Sequence, residues 1–167
     1  LAQQGRSEAE HRQATAHANN ILDRLEAMVE RCPQACLAFT PAQLYANKAA
    51  GLHSIMPGIE NGYAFGTDPA NVEHFRRRGV VYTLCHNGNN EICDSARPGK
   101  HDLERFPSTQ GAEHGGLSDF GRTVVREMNR VGMMVDLSHA AESTFYDALS
   151  CSSLPIVCSH SSARSLC

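Results

Sequence analysis

Residues 133–167 read MMVDLSHAAESTFYDALSCSSLPIVCSHSSARSLC. Two apolar runs, Met133–Leu137 and Pro155–Cys158, each stop at a Ser-His pair, Ser138-His139 and Ser159-His160. Between them Glu142–Leu149 has the amphipathic spacing of a short helix. The pattern predicts strand, helix, strand, with a histidine at the end of each strand. In a parallel sheet, strands joined by one crossover helix can lie side by side, about 4.8 Å apart. Two imidazoles at matching ends would then face a single site.

Upstream, the same alternation continues. Ser7-Glu8-Ala9-Glu10 has the form of a capping box. Behind it Ala14, Ala18, Ile21, Leu25, Met28 and Val29 keep helical spacing until Pro33. Cys36–Phe39 fits a short strand, and Thr40-Pro41-Ala42-Gln43 a second capping box with proline at the first helical position, its helix ending at Gly51. His53–Ile59 is a strand candidate broken by Pro57 and closed by Glu60-Asn61-Gly62. Asp68-Pro69 opens a helix with Val72 and Phe75 on one face and Gly79 past its end. Val80–Cys85 is a β-branched strand closed by His86-Asn87-Gly88. Ser118 caps a clear helix with Phe120, Val124, Met128 and Val131 on one stripe and Gly132 as the stop. Strands alternating with helices predict a parallel α/β sheet.

One stretch breaks the pattern. Asn87–Gly116 is rich in Gly, Asn, Asp, Ser and Pro and has no sustained period. Loops of that length in compact domains are usually functional or disordered. At the chain's end, 161–167 reads as the start of a helix. No Gly-rich phosphate loop is present.

Composition limits the partners. The 167 residues are 41% hydrophobic, enough for one domain with a core, and the net charge of -3 gives no basic field for nucleic acid. No apolar run approaches the roughly 18–20 residues that span a bilayer. The start, LAQQGRSEAEHRQ, has neither a charged leader nor an apolar run and no initiating Met, so it reads as a processed product or a fragment. The seven cysteines fit no zinc-finger spacing, and Cys85 and Cys158, in strand-like runs, read as buried free thiols.

Four strands thus end, in order, at Glu60, His86, His139 and His160. In parallel α/β folds the C-terminal edge of the sheet is where sites are built. A carboxylate and imidazoles there form the ligand set of a zinc-like divalent ion. Any one such histidine is more often a hydrogen-bonded structural residue; four ligand types at four successive ends favour a metal. Asp136, inside an apolar strand, either orients a ligand histidine from behind or pairs with a neighbour. His11, His17, His101 and His114 read as solvated, and Arg76-Arg77-Arg78 as a helix end favouring the dipole.

The segments GGLSDFGRTVVREMNRVGMMVDLSH and PIVCSHSSARSL, with GIENG and YTLCHNGNN upstream, closely resemble the membrane (renal-type) dipeptidase family of zinc metallopeptidases. The resemblance runs from about Met56 to Leu166 and more weakly to the first helix. It implies a (β/α)8 TIM-barrel type fold, here an incomplete barrel covering roughly strands 3 to 6, with 1–167 a single domain truncated at both ends. It implies metal-dependent hydrolysis of dipeptides by a zinc-activated water, with two zinc ions in the complete enzyme. Glu60 matches the carboxylate that bridges the metals, and His139 and His160 the histidines on one of them. His86 matches a histidine that contacts substrate and helps polarise the scissile carbonyl.

The departures are specific. The family's other metal takes a His-x-Asp pair on the first barrel strand, and no His-x-Asp precedes Glu60. The family's arginine and aspartate of the last strands would fall beyond the chain, and Arg164 belongs to the SHS-x-AR motif instead. The expected partner is a small dipeptide; a membrane is not expected to engage this segment, and a homodimer stays open. Two other readings stand beside this one: another binuclear-metal amide or lactone hydrolase, and a degenerate, non-catalytic homologue acting as a binding module. The isolated chain is expected to hold at most one metal and to turn over poorly.

Overall fold

Ser7 opens the first helix as its sequence predicts. In the computed structural model, which describes residues 5–166, Glu8–Glu30 form α1, and Ser7 and Glu10 exchange backbone N–H to side-chain bonds at 3.0 and 3.3 Å. The side chains of Tyr82, Thr83 and Arg164, and residues 1–4 and 167, where the sequence reading of the chain's start and end falls, lie outside the described residues. The buried face of α1 is His11, Ala14, Ala18 and Leu22. Ile21 and Met28, expected on that stripe, are 46% and 60% exposed. Small alanines let the helix lie close to the 3-10 turn Gly62–Phe65, where Thr15 Oγ1 donates to Ala64 O at 2.8 Å. That contact centres the buried face on the alanines and turns the longer apolar side chains outward.

β1 (Ala35–Leu37), α2 (Pro41–Ala49), β2 (His53–Ile55) and β3 (Gly58–Glu60) follow. Pro57 splits the expected strand in two, because proline offers no N–H to a ladder. Its carbonyl still accepts from Val81 N at 3.0 Å. Next come α3 (Ala70–Arg77), β4 (Val81–Thr83), α4 (Lys100–Arg105), α5 (Asp119–Val131), β5 (Val135–Asp136), α6 (Glu142–Cys151) and β6 (Ile156–Val157). β1 and β2 pair in parallel; β3, β4, β5 and β6 form a parallel sheet in that order. Each strand of this sheet is shorter than the apolar run that predicts it. The expected C-terminal helix is a single 3-10 turn, Arg164–Leu166.

The register sorts the sheet's two faces. Ile59, Leu84, Val135 and Leu137 turn toward the helices and are buried with Val72, Phe75, Val124 and Met128. Full burial of such a side chain stabilises by about 1.5–3 kcal/mol. Glu60 and Asp136 take the alternate positions and so the opposite face. Gly132, at φ 70, ends α5 in the left-handed conformation that glycine adopts without cost.

The long aperiodic stretch is ordered, by polar side chains holding its backbone. Asp94 is 1% exposed and accepts from the N–H groups of Glu113, His114 and Gly116. Asp102 accepts from Asn89 N and Gly99 N at 3.0 and 2.7 Å. Asn90 Nδ2 donates to Asn61 Oδ1 and Leu84 O. Two histidines expected in solvent are drawn into this region. His11 is buried with Nε2 3.0 Å from Glu91 Oε1, and His114 Nε2 donates to Asn90 O at 2.8 Å. Among the described residues, no helix is long and apolar enough to cross a membrane.

Candidate metal centre

Glu60 is the last residue of β3, and each histidine follows its strand by the same interval. Thr83 to His86, Asp136 to His139 and Val157 to His160 are each a step of three residues. Parallel pairing therefore carries all four side chains to one edge. Glu60 Oε1 lies 3.0 Å from Nε2 of His139, 3.0 Å from Nε2 of His160 and 3.8 Å from Nε2 of His86. Ligand atoms of Glu60, His86 and His139 all fall within 4.8 Å of one another. The His139 ring stands 4.5 Å from that of His86 and 4.9 Å from that of His160, centroid to centroid.

These separations fit a cation. Zinc bonds of about 2.0–2.2 Å to nitrogen and oxygen place adjacent ligand atoms roughly 3.0–3.5 Å apart. Glu60 meets that requirement with His139 and with His160, each taken as a pair, while the three residues whose ligand atoms all lie within 4.8 Å of one another are Glu60, His86 and His139. The side chains of Glu60 and His160 are each 47% exposed, so the centre faces outward. A cavity of about 410 Å³ adjoins it, with Glu60, Asp136, Ser159 and His160 on its wall beside Val81 and Val157.

The backbone around the ligands is held in specific conformations. His139 has φ 67, a left-handed conformation that costs a side-chain-bearing residue of order 1–3 kcal/mol unless its surroundings impose it. Here the long loop does so. Ala96 N and Ser95 Oγ donate to His139 O at 2.7 and 3.2 Å, and Ser95 Oγ also reaches His86 O at 2.5 Å. One buried serine thus sits between the carbonyls of two site histidines, its single proton shared between them and nearer His86 O. Asn61, at φ 105 directly after Glu60, is fixed through Tyr63 N and Asn90.

All four residues expected at the strand ends therefore come together. Asp136 gathers Ser138 and Ser159, the serines that precede His139 and His160. Ser95, Ser138 and Ser159 escaped the reading of the sequence, although two of them stand in the Ser-His pairs themselves. Among the cysteines, Cys85 and Cys93 are buried, and Cys85 together with desolvation raises the Cys93 thiol well above its usual range. Cys158, expected to be buried, is exposed, because β6 is the last strand of the sheet and leaves that side uncovered.

The family model described as "Membrane dipeptidase (Peptidase family M19)" matches residues 3–167. Dipeptidase verJ of Clonostachys rogersoniana is 34% identical over 147 residues, which is 87% of this chain and 35% of that protein. Dipeptidase 3 of Rattus norvegicus is 36% identical over 138 residues, 79% of this chain and 27% of that one. Among solved structures, the probable dipeptidase PvdM from Pseudomonas aeruginosa superposes with a TM-score of 0.83 at 26% identity, over 96% of this chain and 39% of that one. A metallo peptidase from Rhodobacter sphaeroides, solved with a phosphinate mimic of the dipeptide L-Ala-D-Ala, gives 0.70 at 25%, over 94% and 42%. The chain thus spans about a quarter to a third of the length of the curated relatives it matches.

Proposed function

The chain belongs to the membrane dipeptidase family, peptidase family M19, and from that premise we propose that its sheet is one arc of a (β/α)8 barrel whose site hydrolyses dipeptides with a zinc-activated water. The observation that carries the proposal is Glu60 Oε1, 3.0 Å from Nε2 of both His139 and His160. Glu60, His139 and His160 would hold one zinc. The metal, when bound, supplies an activated water and polarises the scissile carbonyl.

The chain's own residues do the rest. The Glu60 carboxylate offsets the charge of the centre. His86, set back at 3.8 Å with a 39% exposed side chain, is the donor placed to bond an oxygen bearing developing negative charge. The mouth beside Glu60 and His160 has room for a dipeptide. No His-x-Asp precedes Glu60 in the sequence, so these 167 residues are expected to hold one metal.

Equilibrium dialysis of the purified chain against zinc, with metal analysis, tests this alongside a dipeptide hydrolysis assay. One zinc per chain, abolished in His139→Ala, with turnover well below that of a longer relative, is the expected result. Failure to take up zinc, or uptake unchanged in His139→Ala, would overturn the metal centre.

A further inference from the structure

Asp136 sits behind the centre, 6% exposed, and four donors converge on it. Ser138 N and Ser159 N donate to Oδ1 at 3.0 and 3.1 Å, Ser138 Oγ donates to Oδ1 at 2.9 Å, and Ser159 Oγ donates to Oδ2 at 2.5 Å. Ser159 Oγ also lies 2.7 Å from Nδ1 of His160. His160 N in turn donates to Ser138 Oγ at 3.1 Å, so both serines brace the same histidine.

A hydroxyl has one proton to give. The Asp136 carboxylate, facing two backbone N–H groups that can only donate, is the acceptor of the set. Ser159 Oγ therefore spends its proton on Oδ2. Ser138 Oγ, 3.4 Å away, has its own proton on Oδ1 and supplies none. The bond between Ser159 Oγ and His160 Nδ1 then runs the other way, with Nδ1–H donating to the hydroxyl. A neutral imidazole protonated at Nδ1 is bare at Nε2 and can offer that atom to a cation; without one, Nε2 faces the acceptor Glu60 Oε1 at 3.0 Å, which draws a proton to it.

We infer that Asp136 is a positioning residue that acts through Ser159 to set the tautomer of His160 and so selects Nε2 as the atom offered to the metal. The inference rests on the metal-centre reading for its purpose, but the proton direction itself stands on the hydrogen bonds. A hydroxyl is interposed here where a carboxylate or carbonyl commonly contacts the ligand histidine directly. The arrangement also couples β5 to β6. The carboxylate that fixes the Ser138-His139 exit fixes the Ser159-His160 exit, so two ligands are aimed by one buried charge.

Asp136→Asn reverses the relay. Three donors still require an acceptor at the Oδ1 position, so the amide NH2 takes the Oδ2 position and donates to Ser159 Oγ. That hydroxyl then turns its proton to His160 Nδ1, leaving Nε2–H, which cannot bind a metal. Ser159→Ala removes the bias without reversing it. Zinc affinity, measured by competition with a chromogenic chelator, is expected to fall about 10–100-fold in Asp136→Asn, the range for residues behind metal ligands, and by less in Ser159→Ala. Long-range 15N–1H correlation spectra of the metal-free chain carrying Glu60→Ala, which removes the acceptor facing Nε2, taken above the histidine titration range, give the second readout. They should show His160 protonated at Nδ1 in that background, at Nε2 when Asp136→Asn is added, and a mixture of the two tautomers when Ser159→Ala is added. If the Asp136→Asn variant does not fold, Ser159→Ala carries the test. An Nε2–H tautomer in the Glu60→Ala background, or an unchanged Nδ1–H tautomer on adding Ser159→Ala, overturns the relay. Loss of affinity without a tautomer change overturns it too, in favour of mere packing. If the parent takes up no zinc, the metal centre fails, while the spectra still decide the relay.

Discussion

Two regions of this chain invert the usual relation between sequence regularity and structural order. Residues 40–55 have the tidy signals: an N-cap threonine, proline at N1, a helix and a strand. Yet α2 buries no residue, and His53 and Ser54 in β2 are exposed. Residues 87–116 have no sustained period, yet they bury Asn89, Asn90, Asp94, Ser95 and Asp102. The first region is specified by local propensity and held by little else. The second is specified by long-range bonds from polar side chains to backbone, which no window of sequence displays. The candidate site leans on the second, since Ser95 and Ala96 hold the carbonyls of His86 and His139. A ligand set needs fixed geometry more than it needs regular secondary structure.

The contrast can be broken in several places. The largest effect is expected from Asp94→Ala. It strands three backbone N–H groups, and buried donors left unpaired cost about 1–3 kcal/mol each, so a loss of about 3 kcal/mol or more should appear in urea unfolding. A loss below about 1 kcal/mol would mean that the loop owes its order to something else. Ser95→Ala comes next, at about 1–2 kcal/mol, with a weakened zinc affinity as the decisive second reading. Thr40→Ala should cost no more than about 1 kcal/mol, the ordinary worth of an N-cap, and should leave zinc binding unchanged. Altered zinc binding there would show that the two regions are coupled.

The smallest expected effect lies on the helix surface between the two. Arg130, with Glu127 and Glu73 on either side, lowers both carboxyl groups, chiefly through its hydrogen bonds; Arg77 adds to the effect on Glu73. Their folded values lie below their unfolded ones. The unfolded chain therefore binds more protons between those values, and the contribution is present above the unfolded carboxylate range and lost as pH falls through the folded one. These groups stand in water, so the effect is small. Arg130→Met should flatten the acid side of the stability profile slightly; an unchanged profile would dismiss the network.

Much of the fold was legible because burial follows period. The Ser118 and Gly132 boundaries of α5 hold to the residue, as does the break at Pro57. The stripe on α1 was misjudged because hydrophobicity was read without size: the close approach to the Gly62–Phe65 turn favours Ala14 and Ala18 over Ile21 and Met28. α4 was missed since its six residues carry no apolar repeat. The four residues at the strand ends were legible because parallel strands share a C-terminal edge. Ser159 and Ser95 were not, because a serine's importance here lies in which carbonyl or carboxylate it meets, and that is decided by residues 9 to 44 positions away.

The central claim is that a metal binds to oxygen and imidazole at Glu60, His139 and His160, in a chain that also offers seven cysteines. X-ray absorption at the zinc edge of the zinc-loaded chain tests it most directly. The account predicts a shell of nitrogen and oxygen at about 2.0–2.2 Å with the multiple-scattering signature of two imidazoles. A sulfur shell at about 2.3 Å, the distance of zinc–thiolate bonds, would put the metal on the cysteines and contradict it.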